Sequence, residues 1–150
     1  MYGLCNLKKE NKRLKQHRNG MIRFISFGSG SSGNCYYLDA EGYGVVIDMG
    51  LGRRYIKKAF HDYGLKLAGV QAIIVTHDHT DHVKSVGAFS TEFHLPVYAS
   101  SKVHQGISRN RFMNKKVEAE HVKLLEAGEQ LELGPFFITS FAVPHDSAGN

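Results

Sequence analysis

The sequence predicts a mixed α/β or α+β fold in which helices cover a sheet, and three observations predict it. Runs rich in β-branched and aromatic residues recur along the chain and end at glycine, proline or polar clusters. Between them lie stretches whose apolar residues repeat at helical spacing. Their order, β-β-β-α-β-α-β-α-β-β-β, suits a sheet with helices packed on it. At 150 residues and 42% hydrophobic content, the chain matches one domain or part of a larger one. With 22% charged and 11% aromatic residues it is neither disordered nor fibrous in composition. No apolar run approaches the roughly 18 residues of a membrane span.

The elements follow in order. Structure is expected from Met21, with IRFISF (22–27) as a strand that stops at the loop GSGSSGN (28–34). CYYLDA (35–40) and GVVIDMG (44–50) flank the turn-like EGYG as a hairpin. From Arg53 to Tyr63, Ile56, Ala59, Phe60 and Tyr63 fall at helical spacing, and Gly64 ends the helix. VQAIIVT (70–76) reads as a buried strand. Val83, Val86, Phe89 and Phe93 mark one helix that ends near Leu95-Pro96. PVYAS is a short strand, and a further helix is expected near 101–107. HVKLLE, EQLEL and PFFITSFAVP make the final third β-rich, with breaks at Gly128 and Gly134-Pro135.

The net charge of +5 is unevenly placed. Residues 1–20 hold Lys8, Lys9, Lys12, Arg13, Lys15 and Arg18 against Glu10, which accounts for the whole excess. The remaining 13 basic and 13 acidic residues cancel, so 21–150 shows no broad basic footprint. The first 20 residues read as a basic disordered leader or a misassigned start. No apolar segment follows the charges as a signal peptide requires. Cys5 and Cys35 have no CxxC spacing, which points away from a thiolate metal site and fits a reducing cytoplasm.

Directly after the 70–76 strand comes THDHTDH (76–82). In extended backbone, residues two apart project to one side, so His77 and His79 can face one point. Asp81 and His82, after a turn, can approach that point or one a few ångströms beyond it. Imidazole and carboxylate are ordinary ligands of zinc and similar divalent ions. Asp81 equally suits a helix N-cap. Asp78 and Thr80 would point away. Asp48 ends its strand either as a partner for a histidine or as the cap of the next helix. The loop amides of GSGSSGN suit either a flexible turn or an anion nest. His61, His94, His104 and His121 read as surface or cap residues.

THDHTDH resembles the HxHxDH signature of the metallo-β-lactamase fold. The resemblance implies an αββα sandwich, of which residues 21–150 represent about the first half or somewhat more. It assigns His77, His79 and the later His145 (in PHD, 144–146, after a strand) to one metal. Asp81 and His82 go to a second metal, and VVIDMG makes Asp48 an outer partner of the centre. SFGSGSSGNCYYL resembles the opening of the YycJ/WalJ-like branch and makes Ser29, Ser31 and Asn34 a possible substrate or anion loop. That branch implies exonuclease-type hydrolysis of DNA through a metal-bound hydroxide, with Asp81 catalytic and RNA as the alternative substrate. Two divalent ions are implied, zinc first, with manganese or iron as alternatives, in a cytoplasmic enzyme that contacts no membrane. Other readings are a tRNase Z-like endonuclease, an iron-dependent redox member of the fold, or an inactive scaffold. Complete members supply a bridging aspartate and a last histidine from later segments. Asp146 is not placed to bridge, so an incomplete hydrolase with weak or single-metal binding and little activity is expected.

Overall fold

The computed structural model describes residues 20–144, so the basic leader (1–19), His145 and Asp146 lie outside the described residues. Strands β1 (Ile22–Gly28), β2 (Cys35–Ala40) and β3 (Tyr43–Met49) form an antiparallel meander. The β2–β3 turn places Glu41 and Gly42 at φ of 55° and 83°, the positive values that a tight two-residue hairpin requires. Strands β4 (Val70–Ile74), β5 (Val97–Ala99) and β6 (Val122–Leu124) then add parallel to β3. The six strands lie in the sheet order β1-β2-β3-β4-β5-β6. All four parallel strands therefore end on one edge of the molecule, where sites form in such sheets.

One face of the sheet carries the helices. Helix α1 (Arg53–Asp62) buries Ile56, Ala59 and Phe60, and Gly64 at φ 65° follows its end. Phe60 meets Phe27 and Tyr37, each at a ring-centroid distance of 5.1 Å. Helices α2 (Thr80–Val83), α3 (Val86–Phe93) and α4 (Ser101–Arg109) complete this layer, which encloses the main core. Ser100 caps α4 by accepting a hydrogen bond from the Val103 N–H at 3.3 Å. On the other face a separate hairpin, β7 (Gln130–Leu133) and β8 (Phe136–Thr139), packs Leu133 and Phe136 onto Ala40, Val45 and Ala72. Ile22 and Phe24, beyond the hairpin on the edge strand, stay exposed. No helix of the described residues is long and apolar enough to cross a membrane.

Two expectations change. The single helix expected from Val83 to Phe93 is two helices, broken at Lys84-Ser85. The reason is competition for backbone partners. The Asp81 carbonyl, which would accept from Ser85 in a continuous helix, instead accepts from the Asn34 N–H at 2.7 Å. The Ser85 N–H turns to the Met49 carbonyl at 2.9 Å, and the Ser85 hydroxyl donates to the Leu51 carbonyl at 2.6 Å. Second, the strand expected to run through PFFITSFAVP stops at Thr139. Ser140 closes the hairpin against Gly128 and Glu129, and 141–144 continue outside any strand.

Cys35, at the start of β2, is fully buried. Burial first, and then the negative Asp48 nearby, push its thiol up to about 12. A neutral, enclosed thiol is inert. A Cys5→Ser variant, which retains Cys35 alone, is therefore expected to release no thionitrobenzoate from Ellman's reagent until it is denatured. Fast reaction of the native variant would show that β2 is not enclosed.

Candidate metal centre

The site is built where β3 and β4 end. Asp48, next to last in β3, has φ 58°, a conformation its short polar side chain tolerates, and is 1% exposed. It makes no cap for α1, whose N-cap is Gly52 without a side-chain bond. Its carboxylate instead reaches the next strand and the helix beyond. Oδ1 accepts from the Thr76 N–H at 2.8 Å, Oδ2 accepts from the Thr76 hydroxyl at 2.7 Å, and Oδ2 lies 2.7 Å from His82 Nδ1.

These contacts fix two histidine tautomers. An ionised carboxylate only accepts, so His82 carries its proton on Nδ1 and leaves Nε2 unprotonated, where it can accept from the Asn34 side-chain amide at 3.0 Å. The Thr76 hydroxyl has committed its proton to Asp48. At 3.0 Å from His77 Nδ1 it must accept, so His77 also carries its proton on Nδ1. One carboxylate thereby leaves an Nε2 lone pair on both rings, the form that a cation needs.

The rings converge. His77 lies 3.7 Å from His82 and 4.9 Å from His79, centroid to centroid. His79 is the N-cap residue of α2, and its carbonyl accepts from the N–H groups of His82 and Val83 at 2.9 and 3.1 Å. The Asp81 carboxylate lies 3.7 Å from His82 Nε2. Asp78 turns away toward Gly106 of α4, where an added Cβ would fall 1.8 Å from its Oδ2. Thr80 also faces α4, and its hydroxyl accepts from the Asn110 amide at 3.2 Å.

The GSGSSGN loop contributes through Asn34. Its side-chain amide lies 3.0 Å from His82 Nε2 and 3.3 Å from Asp81 Oδ2. Ser29 stands one step behind, accepting at 3.2 Å from Tyr36, whose hydroxyl also reaches Asn34 Oδ1 at 3.3 Å. Ser31 is exposed and is not brought to the cluster. Within the loop, the Gly30 and Gly33 amides bond to Asn34 Oδ1 and the Gly30 carbonyl.

Sequence reasoning missed Thr76, Tyr36, Asn110 and Gly50. An added Cβ on Gly50 would fall 1.6 Å from the Asp81 carbonyl oxygen, so only glycine lets α2 lie this close to β3. The Asp-x-Gly spacing was the available signal. His121, read as a surface or cap residue, is instead buried, with Nδ1 3.1 Å from the Ser90 hydroxyl. It belongs to a second cluster: among the described residues, Glu118, Glu120 and His121 have ligand atoms all within 4.8 Å of one another. That cluster has other partners. Glu118 pairs with Lys115 at 3.0 Å and accepts from Thr91 at 3.2 Å, and Glu120 lies 3.6 Å from His121 Nε2.

Two clefts flank the histidines. An apolar one of about 400 Å³ is lined by His77, Tyr98, Ile138 and Phe141. A polar one of about 810 Å³ is lined by His79, Asp81, Lys102, Arg109 and Arg111. The donor set of imidazoles with unprotonated Nε2 atoms and an adjacent carboxylate is chemically suited to divalent transition ions.

Comparison with known proteins agrees with the fold. The model of the Metallo-beta-lactamase superfamily matches residues 28–148. The exodeoxyribonuclease WalJ of Streptococcus pneumoniae serotype 2 is 30% identical over 126 residues, 84% of this chain and 46% of that protein. The exodeoxyribonuclease YycJ of Bacillus anthracis is 28% identical over 127 residues, 85% of this chain and 47% of that protein. The chain thus spans about half the length of these curated relatives. Among solved structures, a B3 metallo-beta-lactamase with an active-site glutamic acid superposes with a TM-score of 0.70 at 20% identity, covering 84% of this chain and 51% of that one. BJP-1 of Bradyrhizobium japonicum gives 0.70 at 20% identity, covering 86% and 52%.

Asp48→Asn keeps the size and the tolerance of positive φ but removes the charge that fixes both tautomers. It is expected to weaken zinc binding about 10- to 100-fold, measured by competition with a chromophoric chelator. Affinity equal to the wild type would show that the carboxylate does not organise the ligands.

Proposed function

The chain belongs to the metallo-beta-lactamase superfamily, and on that premise we propose that it serves a metal-dependent phosphodiesterase acting on DNA. The observation that carries the reading is the pair of unprotonated Nε2 atoms, on His77 and His82, that Asp48 sets beside His79 and Asp81; an ion at His82 would take the place of the Asn34 amide there. Relatives named exodeoxyribonucleases support DNA as the substrate. DNA as substrate, together with the free thiol of Cys35, supports a cytoplasmic setting.

His77 and His79, with His145 from outside the described residues, would hold one divalent ion. Asp81 and His82 would hold a second. Zinc suits this set first, with manganese or iron as substitutes. When bound, such ions acidify a water and polarise a phosphoryl oxygen. The protein's own contribution is orientation. Asp48 keeps the His77 and His82 rings in one tautomer, and Asn34 holds the Asp81 carboxylate in place from the other side. Asp81 would also accept a hydrogen bond from the attacking water and aim it at phosphorus.

The test is hydrolysis of an end-labelled oligodeoxynucleotide by the zinc- or manganese-loaded chain. Weak cleavage that a chelator abolishes, and that His79→Ala also abolishes, is the expected result, since the chain spans about half the length of its relatives. Cleavage unaffected by His79→Ala, or confined to RNA of the same sequence, would contradict the reading.

A further inference from the structure

We propose that the polar cleft beside His79 and Asp81 is a track for single-stranded DNA, with Lys102, Arg109 and Arg111 on its phosphates and Phe112 stacked on a base. The proposal rests on the phosphodiesterase reading above for its choice of polymer.

The cleft is lined by the candidate centre on one side and by α4 with the loop after it on the other. Helix α4 turns Val103 and Ile107 into the core, while Lys102, Gln105 and Arg109 stay exposed. Those three sit at i, i+3 and i+7, one stripe of the helix. Residues 101–116, SKVHQGISRNRFMNKK, contain five basic side chains and no acidic one. The balance of charge over 21–150 concealed this local excess.

The basic groups in the cleft are available. Elsewhere, Arg23 pairs with Asp39, Arg53 and Lys57 with Glu92, and Lys58 with Asp62. Lys102, Arg109 and Arg111 form no ion pair among the described residues, and Lys102 also attracts Glu126 at longer range. The cleft also holds the Asp78 and Asp81 carboxylates at the candidate centre, but guanidinium groups with no ion-pair partner favour a polyanion and suit phosphate oxygens in particular.

Their distance from the centre is fixed. Asp78, inside the ligand turn, lies over Gly106, where the lack of a side chain lets α4 approach. The Asn110 amide donates to the Asp78 carbonyl and to the Thr80 hydroxyl, both at 3.2 Å. The same Asn110 accepts from the Phe112 N–H at 2.9 Å, which sets the start of the exposed segment. Phe112 is 75% exposed and belongs to neither core cluster. An exposed apolar ring at the rim of a cationic cleft is a stacking platform, and only an unpaired base can lie on it.

The experiment is fluorescence anisotropy of a labelled oligodeoxythymidylate with the 150-residue chain in a chelator, titrated across salt concentrations. Arg109→Gln with Arg111→Gln is expected to weaken binding at least about tenfold and to flatten the log–log salt slope by about 1.4. Phe112→Ala is expected to weaken it about tenfold without changing the slope, and Phe112→Tyr to restore it. Circular dichroism confirms that each variant is folded, and all three positions are exposed. The proposal is overturned by a wild type that does not bind the oligonucleotide, or by variants that bind as tightly as the wild type. Duplex DNA bound as tightly as single strands, or polyglutamate competing as well as DNA, would overturn it too. Binding as described without cleavage by the metal-loaded chain would sink the catalytic reading and leave the track. Cleavage with unchanged affinity in the variants would do the reverse.

Discussion

The buried carboxylate of Asp48 ties three elements to one point. It is the last polar side chain of β3, yet its bonds run to the end of β4 through Thr76 and to α2 through His82. A charged group removed from water is tolerated only when its acceptors are met by donors, and here three donors meet them. Hydrogen bonds to a charged group contribute about 1.5–3 kcal/mol each, so the cluster stabilises the junction as well as setting the tautomers. The same charge helps keep the neighbouring Cys35 thiol neutral, which leaves the imidazoles without a competing thiolate.

The ligand turn depends equally on close backbone approach. Gly50 lets the Asp81 carbonyl lie against β3, and that carbonyl is where Asn34 docks. Asn34 in turn accepts from the Gly50 N–H at 2.8 Å through its own carbonyl. The N-terminal hairpin and the histidine turn, nearly 50 residues apart in sequence, therefore close on each other as one unit. Asp81 gives its carbonyl to Asn34 and Ser85 gives its N–H to Met49, so α2 does not continue into α3. The break in the helix and the position of the Asp81 side chain both involve Asn34.

Much of this was legible in the sequence where the signal is local. Alternating β-branched runs located β1 to β4, and the apolar positions Ile56, Ala59 and Phe60 located α1. HxHxDH after a strand marked the cluster, because two residues apart on extended backbone is a local geometric fact. What was missed depends on distant partners. Nothing near Ser85 announces that its N–H will go to Met49, and nothing around His121 shows that Ser90 will enclose it. Strand β8 ends at Thr139 because Ser140 turns to Gly128 and Glu129, although the apolar run continues. The charge sum over 21–150 averaged away the cationic stretch 101–116. Asp48 was left between two roles, since a strand-ending aspartate looks alike whether it caps a helix or holds a histidine.

The central claim is that Asp48 presets His77 and His82 as Nδ1–H tautomers, which leaves each Nε2 unprotonated and able to accept. Long-range ¹⁵N–¹H correlation of the imidazoles, before and after zinc is added, tests it most directly. The account predicts protonated Nδ1 on both rings in the metal-free chain, and Nε2 shifts at His77, His79 and His82 at the first addition of zinc. Nε2–H tautomers at His77 and His82, or a first response at His121 of the Glu118–Glu120 cluster, would contradict it.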